Sequence, residues 1–229
     1  MKKITLLFLV LSITVSGFAQ SSKYMAQRYF QEGLKYHQWM ASDRAYMFYE
    51  KAIKRACMFY EKAVKEDPKY AEAYYYWGNA LARIAEEEKN ENTYKESFEK
   101  FKKATKIDKK YYKAYNDWAY VIIQLGSLKG KLKPYASEAE ALLKKAEKLG
   151  CQSAAYNFAC LYSLTNNKKK ALEWLNTLMS KAYTYKMDTI NRMTFDKDKD
   201  FDNIRESDEF IQFLNTNFPD QIPDRFQAI

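Results

Sequence analysis

Three stretches of this chain repeat one pattern: AEAYYYWGNAL at 71–81, KAYNDWAYVI at 113–122 and SAAYNFACLY at 153–162. In each stretch a large aromatic residue is followed directly by a small one. These pairs are Trp77-Gly78, Trp118-Ala119 and Phe158-Ala159. Apolar residues around the pairs recur every three or four positions, which is the period of a helix with one buried face. The stretches therefore predict the first helices of successive repeats, spaced about 40 residues apart.

A second helix follows each stretch and carries small, large and small residues at spacings of four and three. The sets are Ser97/Phe101/Ala104, Ala139/Leu143/Ala146 and Ala171/Leu175/Leu178. Small residues let paired helices approach closely, and the large residues fill the adjoining holes. After Gln20 no segment sustains the alternation of a strand, so the sequence predicts an all-α chain of about eight helices plus a tail.

These repeats resemble the tetratricopeptide repeat (TPR) family over residues 24–182. An earlier repeat fits the same pattern; it contains Tyr29, Gly33, Tyr36, Ala45, Tyr49 and Ala52 and ends at Asp67-Pro68. The resemblance implies a right-handed solenoid of helix-turn-helix repeats, about four of them within residues 20–185. It also implies a C-terminal capping segment, with a capping helix, at 186–229. Extra residues between the paired helices, at 86–93 and 127–134, depart from the family pattern.

An 11-residue duplication lengthens the second helix of the first repeat. YMFYEKAIKRA at 46–56 is followed directly by CMFYEKAVKED at 57–67, and seven of the eleven positions are identical. Because 11 residues make about three whole helical turns, the added copy keeps its buried face. No Gly or Pro interrupts 43–67, so we predict one continuous helix that is longer by ~16 Å. We interpret it as a tolerated duplication in preference to an arm that contacts a partner.

The tail contains DKDKDFDNIRES at 196–207, whose alternating aspartates suggest a calcium loop at first sight. An EF-hand loop needs Gly at its sixth position and Glu at its twelfth, where this chain has Phe201 and Ser207. The tail instead resembles the terminal element of bacterial TPR proteins. That resemblance implies that its apolar residues cover the open end of the last repeat, which has no neighbour to bury its face. They are Phe201, Ile204, Phe210, Phe213 and Leu214.

Residues 1–19 have the pattern of a secretory signal peptide. Lys2 and Lys3 precede an apolar run at 4–15, and Gly17-Phe18-Ala19 places small residues three and one before a cleavage point after Ala19. The run is too short to cross ~30 Å of hydrocarbon as a helix, which disfavours an uncleaved anchor. Its ending resembles signal peptides of Bacteroidetes-type bacteria. We therefore expect an exported, periplasmic protein with no transmembrane span after cleavage.

The composition argues against an enzyme. The 229-residue chain has a single histidine, His37, and three cysteines, which removes most catalytic triads and every multi-histidine metal site. Gly126-Ser-Leu-Lys-Gly130 lacks the spacing of a phosphate-binding loop. The sequence thus predicts no catalytic residue, no metal and no cofactor. Two alternatives remain for Cys151 and Cys160: a disulfide formed after export or, as we favour, two small apolar fillers.

In the TPR family the inner face is built from the first helix of each repeat. The resemblance implies a peptide-binding groove here, lined by Tyr75, Asn79, Arg83, Lys113, Asn116, Tyr120 and Tyr156. Tyrosine supplies contact area at low entropic cost, and asparagine can hydrogen-bond an extended backbone. We predict a non-enzymatic scaffold or adaptor in the bacterial envelope that binds another protein or a peptide. The alternative is a self-associating structural component of the envelope.

The net charge of +9, which becomes +7 without Lys2 and Lys3, gives no prediction of a nucleic-acid partner. Lysine-rich runs at 100–113, 129–133, 144–148 and 168–170 fall mostly on second helices and loops, at the expected outer face. We interpret them as solvated surface, with weak contact to anionic surfaces as the alternative. An exported protein also rarely meets nucleic acid.

Overall fold

The computed structural model describes residues 22–36, 46–185 and 191–219. The predicted signal peptide and His37 lie outside these residues. Over the described ranges the chain forms helices and turns without a strand, which confirms the predicted all-α class. None of the helices in these ranges is both long and apolar enough to span a bilayer.

The chain divides into two compact units, with the boundary between Lys109 and Lys110. The predicted repeat region, 20–185, extends across both units, and the predicted capping segment, 186–229, lies in the second. In the first unit, helix α1 spans 22–36, α2 Tyr46–Glu66, α3 Ala71–Glu88 and α4 Glu91–Ile107. Phe30 of α1 packs against Tyr60 of α2 with ring centroids 5.9 Å apart, at the centre of the core that joins α1, α2 and α3.

The duplicated segment is one continuous helix, as predicted. Equivalent residues of the two copies, Ala52 with Ala63 and Ile53 with Val64, are all buried. The 11-residue step therefore keeps the apolar side of α2 turned toward the same core.

The sequence predicted that the extra residues at 86–93 lie between two helices, and this prediction is wrong. Helix α3 continues to Glu88 and α4 begins at Glu91, so only Lys89 and Asn90 join them. Lys89 takes a left-handed conformation with φ 49°, which ends α3. The Asn90 side chain accepts the backbone N–H groups two and three residues later and so begins α4. The extra residues lengthen the helices instead of forming a loop.

Gly78 of α3 lies against the buried ring of Phe101 in α4. A Cβ atom at this position would lie 2.9 Å from Phe101 Cε1. Ser97 and Ala104, one turn on either side of Phe101, are buried as well. This confirms the predicted packing of small residues beside a large one in the α3–α4 hairpin.

Replacing Gly78 with alanine is expected to destabilise the first unit by about 1–2 kcal/mol, because moving a buried ring costs more than the gain in helix propensity. Urea denaturation followed by circular dichroism measures the loss. In a Phe101→Leu background the ring is absent, so the same substitution should be neutral or stabilising. An equal loss in both backgrounds would contradict the steric explanation.

The described part of the second unit contains four long helices and a C-terminal segment. Helix α5 spans Tyr112–Leu128, α6 Lys133–Lys148, α7 Ala154–Leu164 and α8 Lys168–Tyr185. The sequence predicted extra residues between helices at 127–134. Because α5 continues to Leu128 and α6 begins at Lys133, only residues 129–132 connect them. The predicted small and large residues of α6 and α8 are buried, namely Ala139, Leu143, Ala146, Ala171, Leu175 and Leu178.

The C-terminal segment folds back onto α7 and α8. Helix α9 spans Arg192–Lys197, a short 3-10 helix Lys199–Phe201 and helix α10 Asp208–Asn217. The 3-10 helix contacts α7, and α10 contacts α8. The five apolar residues predicted to be covered here are buried, together with Phe195 and Phe218, which the sequence analysis missed.

Arg205 organises this segment through its guanidinium group. It donates hydrogen bonds to the backbone carbonyls of Phe195, Asp196 and Asp198, the last at 2.5 Å. It also forms an ion pair with Asp202, with Nη2 2.6 Å from Oδ1. One side chain thus satisfies three carbonyls at and beyond the end of α9, where intrahelical partners run out.

Candidate functional site

Helix α3 presents a polar stripe whose members are spaced by four, three and four residues. We call it the α3 stripe; it consists of Glu72, Tyr76, Asn79 and Arg83. Glu72 and Arg83 are exposed, and the other two are half-buried. Tyr75, which was predicted to line a groove, is only 8% exposed. Its ring packs edge-on against Tyr76 at 4.9 Å and also lies against Phe101, so the structure places Tyr75 in the interior. Tyr76 is half-buried, because its ring packs against Phe30 and Tyr60 at the edge of the core.

Helix α5 presents a stripe with the same spacing. This α5 stripe consists of Lys113, Asp117, Tyr120 and Gln124. Tyr120 is 41% exposed, and its hydroxyl oxygen accepts a hydrogen bond of 2.9 Å from Gln124 Nε2. The pair sets a hydroxyl and an amide one helical turn apart at the surface, where both can reach a partner's backbone.

Asn116 was predicted to face a ligand, and the structure buries it between α5 and α7. Its Nδ2 donates to Asp117 Oδ1 at 3.0 Å, and its Oδ1 accepts from Asn157 Nδ2 at 3.0 Å. The side chain therefore joins two neighbouring first helices. Buried amides of this kind contribute most when both their donors and acceptors are satisfied.

Tyr156 of α7 lies beneath the C-terminal segment. Its hydroxyl donates to the Asp198 carboxylate, and its ring contacts Phe195 at 6.1 Å and Phe201 at 5.7 Å. Burial, reinforced by Cys160 and Asp198, raises the pKa of Tyr156 above its ordinary value. Asn203 of the same segment donates to the Ser163 carbonyl at 3.2 Å. The side of α7 that carries Tyr156 is thus covered by the C-terminal segment of the same chain.

The structure therefore separates the predicted site residues into two groups. Four remain at or near the surface of the α3 and α5 stripes: Asn79, Arg83, Lys113 and Tyr120. The other three are covered by neighbouring parts of the protein: Tyr75, Asn116 and Tyr156. Each stands two residues before the large aromatic residue of its repeat. The remaining members of the stripes, which the regular spacing identifies, are Glu72, Tyr76, Asp117 and Gln124.

The chemistry of the cysteines also follows from burial. Loss of solvent raises the pKa of the Cys57 thiol to about 12 and raises the pKa of Cys160 well above its usual value. Neither thiol is therefore a ready nucleophile near neutral pH. The structure describes Cys57, Cys151 and Cys160 as free thiols, which agrees with the favoured interpretation of Cys151 and Cys160 as fillers.

No protein-family model matches the chain, and no curated protein matches it. Among solved structures, the chain is similar to a thermophilic TPR protein of Thermus thermophilus, with a TM-score of 0.59 and 15% sequence identity. The match covers 84% of this chain and 87% of that one. Identity this low shows the fold alone. The protein is therefore an all-α protein of TPR-like solenoid fold, built from consecutive helix hairpins.

Proposed function

We propose that the protein is a non-enzymatic scaffold that binds another protein or a peptide in the bacterial envelope. The observation that carries the proposal is the α5 stripe, where an exposed tyrosine, a lysine and an amide line one side of a helix whose other side is buried. Such a surface suits polypeptide recognition, since tyrosine contributes large contact area and the polar groups pair with an extended backbone. The TPR-like fold supports this, because stacked repeats leave one face free.

Binding would use each stripe as a short platform. On α5, Tyr120 would be the anchor, Gln124 would hydrogen-bond the partner's backbone, and Lys113 would pair with an acidic group. On α3, Asn79 and Arg83 supply the matching amide and cation, beside the half-buried ring of Tyr76.

The C-terminal segment is proposed to cap the repeats of the second unit. Burial of Phe201, Phe210 and Phe213 against the last helices supports this role, since a terminal hairpin otherwise exposes its apolar face. An exported, periplasmic location is proposed from residues 1–19 alone, and the Bacteroidetes-type origin from the form of their ending.

A self-associating envelope component is the second candidate. The lengthened α2 would form the contact between copies, and Met58 is an apolar side chain of this helix that is 44% exposed. Sedimentation velocity over a range of concentrations separates the candidates, since a simple adaptor should keep the mass of one chain.

Photo-crosslinking in the native cell tests the scaffold proposal. A benzophenone amino acid at Tyr120 or Asn79 is expected to give adducts with a second protein. Matched probes at Lys144 of α6 and Lys102 of α4, two exposed positions on second helices, should give several-fold less. Equal yields from stripe and control positions would refute binding at the stripes, and adducts of two copies of this chain would favour self-association.

A further inference from the structure

Three metal-binding side chains of the second unit converge beneath the C-terminal segment. The sulfur of Cys160 and one carboxylate oxygen each from Asp198 and Asp200 all lie within 4.8 Å of one another. Cys160 belongs to α7, whereas the aspartates stand at the start of the 3-10 helix. The fold therefore assembles this cluster from two elements that are distant in sequence.

The two carboxylates of the cluster have hydrogen-bond donors but no cationic partner among the described residues: Asp198 accepts from the Tyr156 hydroxyl and from the backbone N–H of Asp200. In the described ranges, no lysine or arginine forms an ion pair with Asp198 or Asp200. Arg205 reaches only the backbone carbonyl of Asp198 and forms its ion pair with Asp202. Asp198 and Asp200 are both half-buried. Partly buried carboxylates are unfavourable unless a cation compensates them, so this pair is suited to one.

Cys160 supplies the observation that points to a particular kind of cation. Its side chain is 1% exposed, and its sulfur is directed into the cluster. The side-chain partner of this thiol is Asp200, which is itself a member of the cluster. The thiol hydrogen bond therefore stays within the cluster, and the sulfur and the two carboxylate oxygens present their donor atoms to one another.

We propose that Cys160, Asp198 and Asp200 bind one divalent transition-metal ion, Zn²⁺ by the nature of the donors. A sulfur ligand beside two carboxylates suits zinc, whereas Ca²⁺ and Mg²⁺ take oxygen ligands only. Ligands of a tetrahedral zinc ion lie roughly 3.3–3.8 Å from one another, so side-chain rotations of about 1 Å bring these donors to bonding positions.

Binding of the ion displaces the thiol proton of Cys160 to solvent and forms a metal–thiolate bond. The ion also neutralises the two carboxylates. Because Cys160 lies in α7 and the aspartates lie in the C-terminal segment, the bound ion fastens the segment to the helix. Metal binding and docking of the segment are therefore coupled.

Cobalt titration of the metal-free, reduced protein tests the site. We expect one equivalent of Co²⁺ to bind, with the near-ultraviolet charge-transfer band of a cobalt–thiolate bond, and Zn²⁺ to displace it. Hydrogen exchange of residues 198–214 should slow when Zn²⁺ is added. Absence of the band from the natural chain would overturn the proposal.

Four variants connect the signal with the named ligands. Cys160→Ala and Asp200→Asn should lose the band and weaken Zn²⁺ binding by more than about 100-fold. Removing a residue that only hydrogen-bonds to a metal ligand weakens binding by up to about 100-fold, and removing a ligand itself should cost more. Asp200→Asn removes a buried charge, so the metal-free variant should fold at least as well as the natural chain. Cys151→Ala, at another buried thiol, and Glu206→Gln, at an exposed carboxylate of the same segment, should behave like the natural chain.

Two results with these variants would overturn the assignment. A band that persists in Cys160→Ala would place the thiolate ligand at Cys57 or Cys151. Unchanged Zn²⁺ affinity in a folded Asp200→Asn variant would show that the carboxylates are not ligands of the ion. Both readouts are independent of any partner protein, so they do not depend on the proposed scaffold function.

Discussion

Replacing Phe195 with alanine is expected to undock the C-terminal segment and to lower the free energy of unfolding of the second unit by about 3–5 kcal/mol. Phe195 is fully buried, and its ring contacts Phe201 at 6.0 Å, Phe213 at 5.7 Å and Phe218 at 5.7 Å. Tyr156 of α7 contacts the same ring. Truncation would leave a cavity at the point where α9, α10 and α7 meet.

Two measurements check this expectation. Chemical denaturation gives the loss of stability, and amide hydrogen exchange shows whether residues 198–218 become exposed before the helices of the repeats. Met193→Ala is the matched control, since Met193 lies in the same short helix but is 57% exposed. If both variants lose the same small amount, the aromatic cluster does not hold the segment in place.

Replacing Phe158 with alanine is also expected to lower the free energy of unfolding by about 3–5 kcal/mol. Here the loss should fall on the α7–α8 hairpin itself. Phe158 is fully buried and stacks on Trp174 with ring centroids 4.0 Å apart and an angle of 13° between the planes. It is the large residue of the large-small pair in the third of the quoted stretches. Its removal separates the two helices of one hairpin, whereas loss of Phe195 affects a segment that docks on them.

The near-ultraviolet circular dichroism of the tryptophans and the urea midpoint report this effect. Phe158→Leu is the control, because it keeps most of the volume and should cost less than about 1.5 kcal/mol. Cooperative loss of both α7 and α8 in hydrogen exchange is expected for Phe158→Ala. Exchange confined to the C-terminal segment would show instead that the hairpin tolerates the cavity.

The repeat architecture could be predicted because packing between paired helices depends on local residue size. Gly78 and Phe101 indicate in sequence a close contact that the structure contains, and Ala159 and Leu175, which continue the same pattern, are both buried. The duplication in α2 was predictable for a similar reason, since a step of 11 residues preserves the buried side of any helix. The two-residue turn at Lys89 and Asn90 was not predictable, because its left-handed residue is a lysine and not a glycine.

The binding positions were harder to predict because they depend on neighbours. The period of a helix defines its buried side only to within about one residue. Tyr75 and Tyr76 are adjacent and chemically identical, yet Tyr75 is buried against Phe101 of α4, whereas Tyr76 packs against Phe30 and stays half-buried. Tyr156 is covered by a segment whose docking position no local pattern specifies.

The sequence by itself determined the class of fold, the repeats and the apolar residues of the C-terminal segment, because these follow from residue size and helical period along a continuous stretch. Only the tertiary structure decided which polar residues of α3 and α5 remain exposed and that Cys160 meets Asp198 and Asp200. Those outcomes depend on contacts between elements distant in the chain, and spacing along the sequence carries no record of such contacts.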